Sequence, residues 1–242
     1  LSAVDLSTAV HLTPKQFESY KDLMLPAERL AQQRAGGTWS ELFNYDWLQN
    51  KYPVVGLLLW YVFIFALGLA AYPIVRYALA GFGAYSYPLG RVAGLVLLAW
   101  LSWVGGSVGI PYTRVTISVV VLVIAVAGLG LWMKRKEQFK AEWDAHRKFF
   151  VIVEILFLVF FVIDLLIRLG NSDLWHPSKG GERPMDFSYF NAVMKSESFP
   201  PYDPWFAGGY INYYYYGFVL AGTPVKLLGI VPSIAYNFIL PT

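Results

Sequence analysis

Two carboxylates lie close together in a long polar segment, residues 170–217. Glu182 and Asp186 are four positions apart, and Lys179 and Arg183 are their basic neighbours. A carboxylate in this setting can act as a general base or hold a metal ion or a basic substrate group. The basic neighbours could bind a phosphate. The alternative is that all four are solvated loop residues and that Asp186 caps a helix.

The same segment ends in an unusual aromatic stretch. The triplet Asp203-Pro204-Trp205 is followed by Asn212 and by four consecutive tyrosines, Tyr213, Tyr214, Tyr215 and Tyr216. Consecutive side chains cannot all face one packed core, but a membrane boundary suits them, because the ring rests in the apolar layer while the hydroxyl reaches water. A boundary position leaves Asp203, Trp205 and Asn212 unexplained, and we treat them as candidate substrate contacts.

Three ionisable residues interrupt an apolar run that precedes this segment. Asp164 and Arg168 are spaced i, i+4, so they share a helix face and can pair, and Glu154 lies nearer the other end of the run. Charges in an apolar span are costly and are functional candidates by default. The alternatives are that Asp164 and Arg168 extend to the interface and that Glu154 pairs with a neighbouring helix.

The residue types that the chain lacks exclude several kinds of functional site. There is no cysteine, and His11, His146 and His176 are too far apart in sequence for metal-ligand spacing. The formal net charge of +3 is small and scattered, which argues against nucleic acid as a partner. The sequence therefore indicates no cofactor, although a divalent metal at the carboxylates stays an open alternative.

The composition is that of a polytopic membrane protein. The chain is 57% hydrophobic and only 14% charged, with a mean hydropathy of +0.47, whereas soluble domains carry about 25% charge. A membrane-spanning helix needs about 20 mostly apolar residues, and four runs meet this length. They lie at 53–75, 92–108, 115–133 and 149–169. We therefore predict an all-α fold.

Two further segments flank these four spans. Residues 1–52 are polar, with a helix start at Thr13-Pro14, a stop at Gly36-Gly37 and a short amphipathic helix over 40–43. Residues 218–242 are apolar but contain Pro224, Lys226 and Pro232, so we expect an irregular fifth span to begin there. The predicted organisation is thus 1–52, spans over 53–169, a loop over 170–217, and 218–242.

The basic residues predict the orientation in the cell membrane. The segment 134–148 carries six of them, Lys134, Arg135, Lys136, Lys140, Arg147 and Lys148. Basic segments stay in the cytoplasm, which places 76–91 there as well. The N-terminal segment and the loop 170–217 then lie on the outer face.

The outer loop is expected to be structured. Loops of this length are usually functional or disordered, and disordered segments are poor in aromatic residues, whereas this one is rich in them. Residues 186–195 have helical spacing, with Phe187, Phe190, Ala192 and Val193 on one face and Asp186 at the start.

The stretch GGERPMDFSYFNAVMKSESFPPYDPWFAGGYINYYYYG resembles the signature of the YYY-domain family of polytopic membrane proteins. The resemblance covers roughly residues 53–240. That family is grouped with the C-type (GT-C) integral membrane glycosyltransferases, which take sugar from a polyprenyl-phosphate donor. In such enzymes an outer loop carries an acidic catalytic residue, and basic residues hold the donor phosphate. The resemblance thus implies Asp186 or Glu182 as the acid, and Lys179, Arg183 and Arg168 near the phosphate.

Two functions from different classes follow. The first is glycosyl transfer on the outer face, with membrane lipids and a lipid-linked sugar as ligands and with Trp205 and the tyrosine run stacked on sugar or prenyl groups. The second is a non-catalytic subunit that packs against other membrane subunits through its aromatic loop, since Tyr and Trp are enriched at interfaces. GT-C enzymes have more spans than this sequence shows, so we expect a portion of a longer polypeptide.

Overall fold

The computed structural model describes residues 13–14, 27–174, 181–206 and 209–242. Lys179 lies outside these ranges, as does the course of the helix predicted to begin at Thr13-Pro14. The described residues form α-helices, one 3-10 helix (Ala80–Ser86) and no strand beyond an isolated bridge between Tyr202 and Tyr210. The predicted all-α class is confirmed. The helices are α1 (Ala27–Ala35), α2 (Trp39–Leu42), α3 (Leu48–Lys51), α4 (Pro53–Ala78), α5 (Leu89–Ser107), α6 (Arg114–Lys134), α7 (Lys136–Leu169), α8 (Arg183–Lys195), α9 (Tyr216–Leu228) and α10 (Pro232–Ile239).

Four of these helices, α4 to α7, are long and apolar enough to cross a membrane, with 26, 19, 21 and 34 residues. At 1.5 Å per residue even the shortest approaches the roughly 30 Å of a bilayer core. Each corresponds to one of the four predicted runs. The large apolar side chains that point away from the bundle, such as Val115, Val119 and Leu122 of α6, are exposed in the isolated chain, as expected for lipid-facing positions.

Consecutive spans run in opposite directions, which brings the connections together at two ends of the bundle. At one end the connection after α4 meets the basic segment, where Arg76 pairs with Glu142 at 2.6 Å. At the other end the α5–α6 connection meets the long loop, where the amide of Tyr112 donates to the carbonyl of Glu197 at 2.8 Å. We call the first the basic end and the second the loop end.

Glycines let the spans approach closely. A side chain at Gly90 of α5 would meet the carbonyl oxygen of Gly68 in α4 at 2.8 Å, and one at Gly128 of α6 would clash with the backbone of Ala70. In lipid, helix association depends on van der Waals packing, and small residues allow it. The absence of side chains at Gly68, Gly90 and Gly128 therefore allows α5 and α6 to pack closely against α4.

The N-terminal signals are confirmed where they are described. α1 ends at Ala35, and Gly36 and Gly37 follow, the latter with a left-handed φ of 96°. The short helix α2 begins after Thr38, whose side chain and that of Glu41 form a reciprocal capping box.

The basic segment was predicted as a loop, and this is wrong for most of its length. α7 begins at Lys136 and bends at His146, which has non-helical angles (φ −121°, ψ 19°). Before the bend the helix is amphipathic, and Phe139 packs against Tyr72 with ring centroids 5.7 Å apart. The polar composition that suggested a loop belongs to a helix that buries only one face.

The fifth apolar run does not form one continuous helix. α9 ends at Gly229, which adopts a left-handed conformation (φ 65°), and α10 begins at Pro232. Glycine after a helix end and proline at a helix start are the residues that these conformations favour. The buried side chain of Asn50 stabilises the turn, because it donates to the carbonyl of Gly229 at 2.9 Å and accepts from the amide of Val231 at 2.8 Å.

Glu154 is paired with neighbouring helices. It forms a salt bridge with Arg91 of α5 and accepts a hydrogen bond from the hydroxyl of Tyr87 at 2.6 Å. The guanidinium of Arg91 also lies 3.6 Å from the ring centroid of Phe157. This cluster attaches α7 to α5 within the apolar layer.

The predicted pair of Asp164 with Arg168 does not form. Arg168 is only 9% exposed and turns toward the end of α7, where it donates to the carbonyls of Asn171 and Ser172. Asp164 is exposed on the outer surface of α7 and makes no ion pair with a described residue. The carbonyl groups of the turn after α7 accept hydrogen bonds from the guanidinium in place of the Asp164 carboxylate.

Removal of the Glu154 charge should destabilise the bundle. We expect Glu154→Gln to lower the free energy of unfolding by about 3 kcal/mol, the low end for a broken buried ion pair, since Arg91 would keep an uncompensated charge. The measurement is unfolding by sodium dodecyl sulfate in mixed micelles. Asp164→Asn on the same helix is the control and should change nothing. Equal effects of the two variants would contradict the pairing.

Candidate functional site

The residues predicted as a site gather at the loop end, where α8, the tyrosine run and α10 meet. The buried face of α8 packs on α9, and Gly222 of α9 leaves space for Met194. Phe190 and Val193 lie on this face as predicted, whereas Phe187 and Ala192 are only partly buried. The buried residues of α8 are Tyr189, Phe190, Val193 and Met194. This packing fixes the orientation of the helix that carries Asp186.

Asp186 is not the cap of this helix, contrary to the prediction. α8 begins at Arg183 with Pro184 in its first turn, and Glu182 occupies the cap position without a side-chain hydrogen bond. The amide of Asp186 donates to the carbonyl of Glu182 at 3.0 Å. The Asp186 carboxylate is therefore not used in capping.

A tyrosine of the run contacts the Asp186 carboxylate. The hydroxyl of Tyr214 donates to Oδ1 of Asp186 at 3.3 Å. Partial burial and the nearby Glu182 raise the pKa of Asp186 above its ordinary 3.8, while the hydrogen bond from Tyr214 lowers it. A carboxylate with a raised pKa is a stronger base than an ordinary one. The environment of Asp186 thus suits proton abstraction.

The Asp186 carboxylate and two guanidinium groups all act on one phenol, that of Tyr236. Arg183 donates to Oδ1 of Asn171 at 3.2 Å and to the carbonyl of Asp173 at 3.0 Å. Burial and the charge of Asp186 raise the pKa of Tyr236 in α10, whereas Arg168 and Arg183 lower it. One carboxylate and two guanidinium groups therefore lie within electrostatic reach of a single phenol.

The four consecutive tyrosines divide into two pairs. Tyr213 and Tyr214 are 57% and 47% exposed, with ring centroids 3.9 Å apart. Tyr215 and Tyr216 point inward to Trp103 of α5, whose indole nitrogen donates to the Tyr215 hydroxyl at 3.1 Å. The inner pair attaches the segment to a span, which leaves the outer pair beside Asp186.

The Asp203-Pro204-Trp205 triplet forms a tight turn over α8. Oδ1 of Asp203 accepts from the amides of Trp205 at 2.8 Å and Phe206 at 3.2 Å. The indole nitrogen of Trp205 donates to Oγ of Ser188 at 2.7 Å, yet its side chain is 61% exposed. Asp203 thus orders the turn, and an aromatic face remains accessible. Asn212 is also exposed.

A cavity of about 640 Å³ lies beside this cluster, between α8 and the N-terminal helices. Its wall combines amides, aromatic rings, one lysine and two carboxylates, contributed among others by Gln32, Trp39, Asn191, Lys195, Glu197 and Asp203. Phe187 lines the cavity and packs against Tyr236 with ring centroids 5.6 Å apart, so the cavity adjoins the Asp186 cluster. Apolar walls with a few placed polar groups are typical of small-molecule sites.

A buried ion pair lies beside this cavity. Nζ of Lys226 in α9 is 3.4 Å from Oε1 of Glu197 and donates to the carbonyl of Ser196 at 2.8 Å. It also lies 4.4 Å from the ring centroid of Tyr112. Burial lowers the pKa of Lys226 and raises that of Glu197, so desolvation outweighs the attraction between them.

The structure brings together most of the predicted residues, but not all. Asp186, Glu182, Arg183, Arg168 and Tyr214 lie in one region, whereas Glu154 is remote from it in α7 and Asp164, one turn before Arg168, is exposed on the outer surface of that helix. Sequence reasoning missed Tyr236, Ser188 and the Lys226–Glu197 pair. Lys226 could have been singled out from the sequence, because a charged residue inside an apolar run is a functional candidate. Among the described residues, no group of three or more acidic or histidine side chains is arranged to hold a metal ion.

Four apolar helices and a folded layer at one end of the bundle define a polytopic all-α membrane protein. Its residues 97–242 match a family described as "Uncharacterized membrane protein (DUF2298)". The match covers more than half of the chain and includes every residue of the cluster, and the chain belongs to this family. No curated protein and no solved structure matches the chain.

Removal of one charge of the buried Lys226–Glu197 pair should destabilise the protein more than removal of both charges. We expect Lys226→Met to cost about 3–5 kcal/mol, since Glu197 would be left without a counter-charge, and Lys226→Met with Glu197→Gln to recover much of this loss. The midpoint of thermal unfolding in detergent micelles measures both. A double variant that is as unstable as the sum of the single variants would show that the two charges are not coupled.

Proposed function

We propose that this protein is a membrane glycosyltransferase, or a portion of one, that transfers sugar from a polyprenyl-phosphate donor on the outer membrane face. The observation that carries the proposal is the position of Asp186. Its carboxylate has a raised pKa, contacts an exposed tyrosine and, like the guanidinium groups of Arg168 and Arg183, lies within electrostatic reach of Tyr236. The resemblance to the YYY-domain family favours the same reaction.

Each group has a part in this reaction. Asp186 takes the proton from the acceptor hydroxyl, whose oxygen attacks the anomeric carbon of the donor sugar. The bond from that carbon to the phosphate oxygen breaks, and the lipid phosphate leaves with the electron pair. Arg183 faces this phosphate, and Arg168 adds positive charge behind it. Such preorganised charges act most strongly where water is scarce.

The surroundings suit the two substrates. Arg168 and Arg183 lie at the loop end of α7, where a lipid-linked phosphate would meet the bilayer boundary. The exposed rings of Trp205, Tyr213 and Tyr214 offer faces on which sugar or prenyl groups can stack. The amide-rich cavity next to Phe187 is large enough for an acceptor sugar, and amides and aromatic rings match the hydroxyls and apolar faces of sugars.

Neutralisation of the base is the direct test. In proteoliposomes that contain polyprenyl-phosphate sugars and the full-length protein, we expect Asp186→Asn to reduce sugar transfer by about 10²- to 10⁴-fold, the usual contribution of a general base. Glu182→Gln should have a smaller effect, because Glu182 acts on Asp186 only through its charge. Asp164→Asn is the matched control, an exposed carboxylate that forms no ion pair with a described residue. Undiminished transfer by both Asp186→Asn and Glu182→Gln would remove the proposed base and favour a non-catalytic subunit.

The pH dependence tests the hydrogen bond to Asp186. The rate should rise as pH increases through the pKa of this carboxylate, because only the ionised form accepts a proton. Tyr214 donates a bond that lowers this pKa, so Tyr214→Phe should move the acidic limb of the rate profile to higher pH. Tyr213→Phe is the control, since Tyr213 forms no hydrogen bond with Asp186. Superimposable limbs for Tyr214→Phe and the unmodified protein would contradict the assignment.

A further inference from the structure

A second cavity lies at the basic end, far from the cluster around Asp186. It has a volume of about 500 Å³ and lies between the ends of α4 and α6 and the first part of α7. Its wall includes four aromatic side chains and two lysines: Tyr72, Trp132, Phe139 and Trp143, with Lys136 and Lys140.

The cavity lies at the depth of lipid headgroups. Trp132 is in the last turn of α6, which ends at Lys134, and the amphipathic part of α7 begins two residues later. Trp132 and Trp143 are 41% and 46% exposed. Tryptophan is enriched at the boundary between the apolar layer and water, so the two indoles mark this boundary on both sides of the cavity.

The two lysines present unneutralised charge at this boundary. Lys136 and Lys140 are one helical turn apart, both are exposed, and neither forms an ion pair with a described residue. The nearby Glu142 is already paired with Arg76 at 2.6 Å. Glu137 and Asp144, which lie three positions before and four positions after Lys140, form no ion pair with it either.

We infer that this cavity binds the phosphate headgroup of an anionic phospholipid. Lys136 and Lys140 contact the phosphate, and the aromatic rings surround the glycerol and the upper acyl chain. The basic segment is predicted to face the cytoplasm, where the leaflet carries anionic lipids, and basic cavities between spans on that side bind such headgroups. This site is independent of the glycosyl-transfer proposal.

A neighbouring groove favours a lipid over a soluble phosphate. The groove has a volume of about 350 Å³, is formed by α4, α5 and α7, and shares Leu69 and Tyr87 with the cavity. Phe157 and Phe160 line it together with Arg91 and Glu154, whose charges neutralise each other, so the remaining apolar surface suits an acyl chain. A free phosphate would leave both apolar surfaces uncovered.

Lipid retention in native mass spectrometry tests the inference. The purified protein is equilibrated in micelles with equal amounts of phosphatidylglycerol and phosphatidylcholine, and the bound lipids are counted. We expect retention of phosphatidylglycerol, and a preference reduced about thirtyfold in Lys136→Gln/Lys140→Gln, since each lysine near an anionic surface contributes about fivefold. Lys136→Arg/Lys140→Arg should keep the preference and controls for folding.

The matched control removes the same charge elsewhere on the basic segment. Lys134→Gln/Lys148→Gln should retain the preference, because neither residue lines the cavity. An equal loss in this control would show general surface attraction and overturn the site. Equal retention of the two lipids by the unmodified protein would overturn it as well. Displacement of the bound lipid by soluble glycerol phosphate would show that the headgroup alone is recognised and would contradict the acyl groove.

Discussion

The ammonium group of Lys226 is withdrawn from water, with no exposed surface, and the folded layer at the loop end depends on its partners. Each partner comes from a different part of the chain: the carbonyl of Ser196 and the carboxylate of Glu197 after α8, and the ring of Tyr112 between α5 and α6. A buried charge is tolerated only when such partners surround it. The single lysine therefore ties α9, the end of α8 and the α5–α6 connection into one unit.

That unit determines where Asp186 lies. α8 is held on α9 by its apolar face, the inner tyrosines hold the following segment on α5, and α10 brings Tyr236 to the same place. As a result Asp186 is partly buried and contacts the exposed Tyr214, and like Arg168 and Arg183 it lies within electrostatic reach of Tyr236. The two ends of the bundle also differ in chemistry, since the basic end combines free lysines with aromatic rings, whereas at the loop end a carboxylate and two guanidinium groups lie within electrostatic reach of Tyr236.

Local features of the fold could be predicted from the sequence. The four spans follow from apolar length, the stop at Gly36-Gly37 from glycine, and the helix over 186–195 from apolar spacing, because each depends on residues close together in the chain. The structure of the fifth apolar run was harder to predict. Its two prolines and Lys226 signalled irregularity, but the turn at Gly229 is stabilised by Asn50, which is distant in sequence.

The sequence by itself determined the class of the protein, the number of long apolar helices and the residue types of the candidate site. Only the tertiary structure decided which of those residues meet. Arg168 bonds to carbonyl groups beyond its helix rather than to Asp164, Glu154 finds Arg91 on another span, and Tyr214 rather than another tyrosine reaches Asp186. The physical reason is that hydrophobic burial is read from composition and spacing, whereas a polar contact requires two groups within about 3 Å and in the correct orientation, and packing between distant segments sets that geometry.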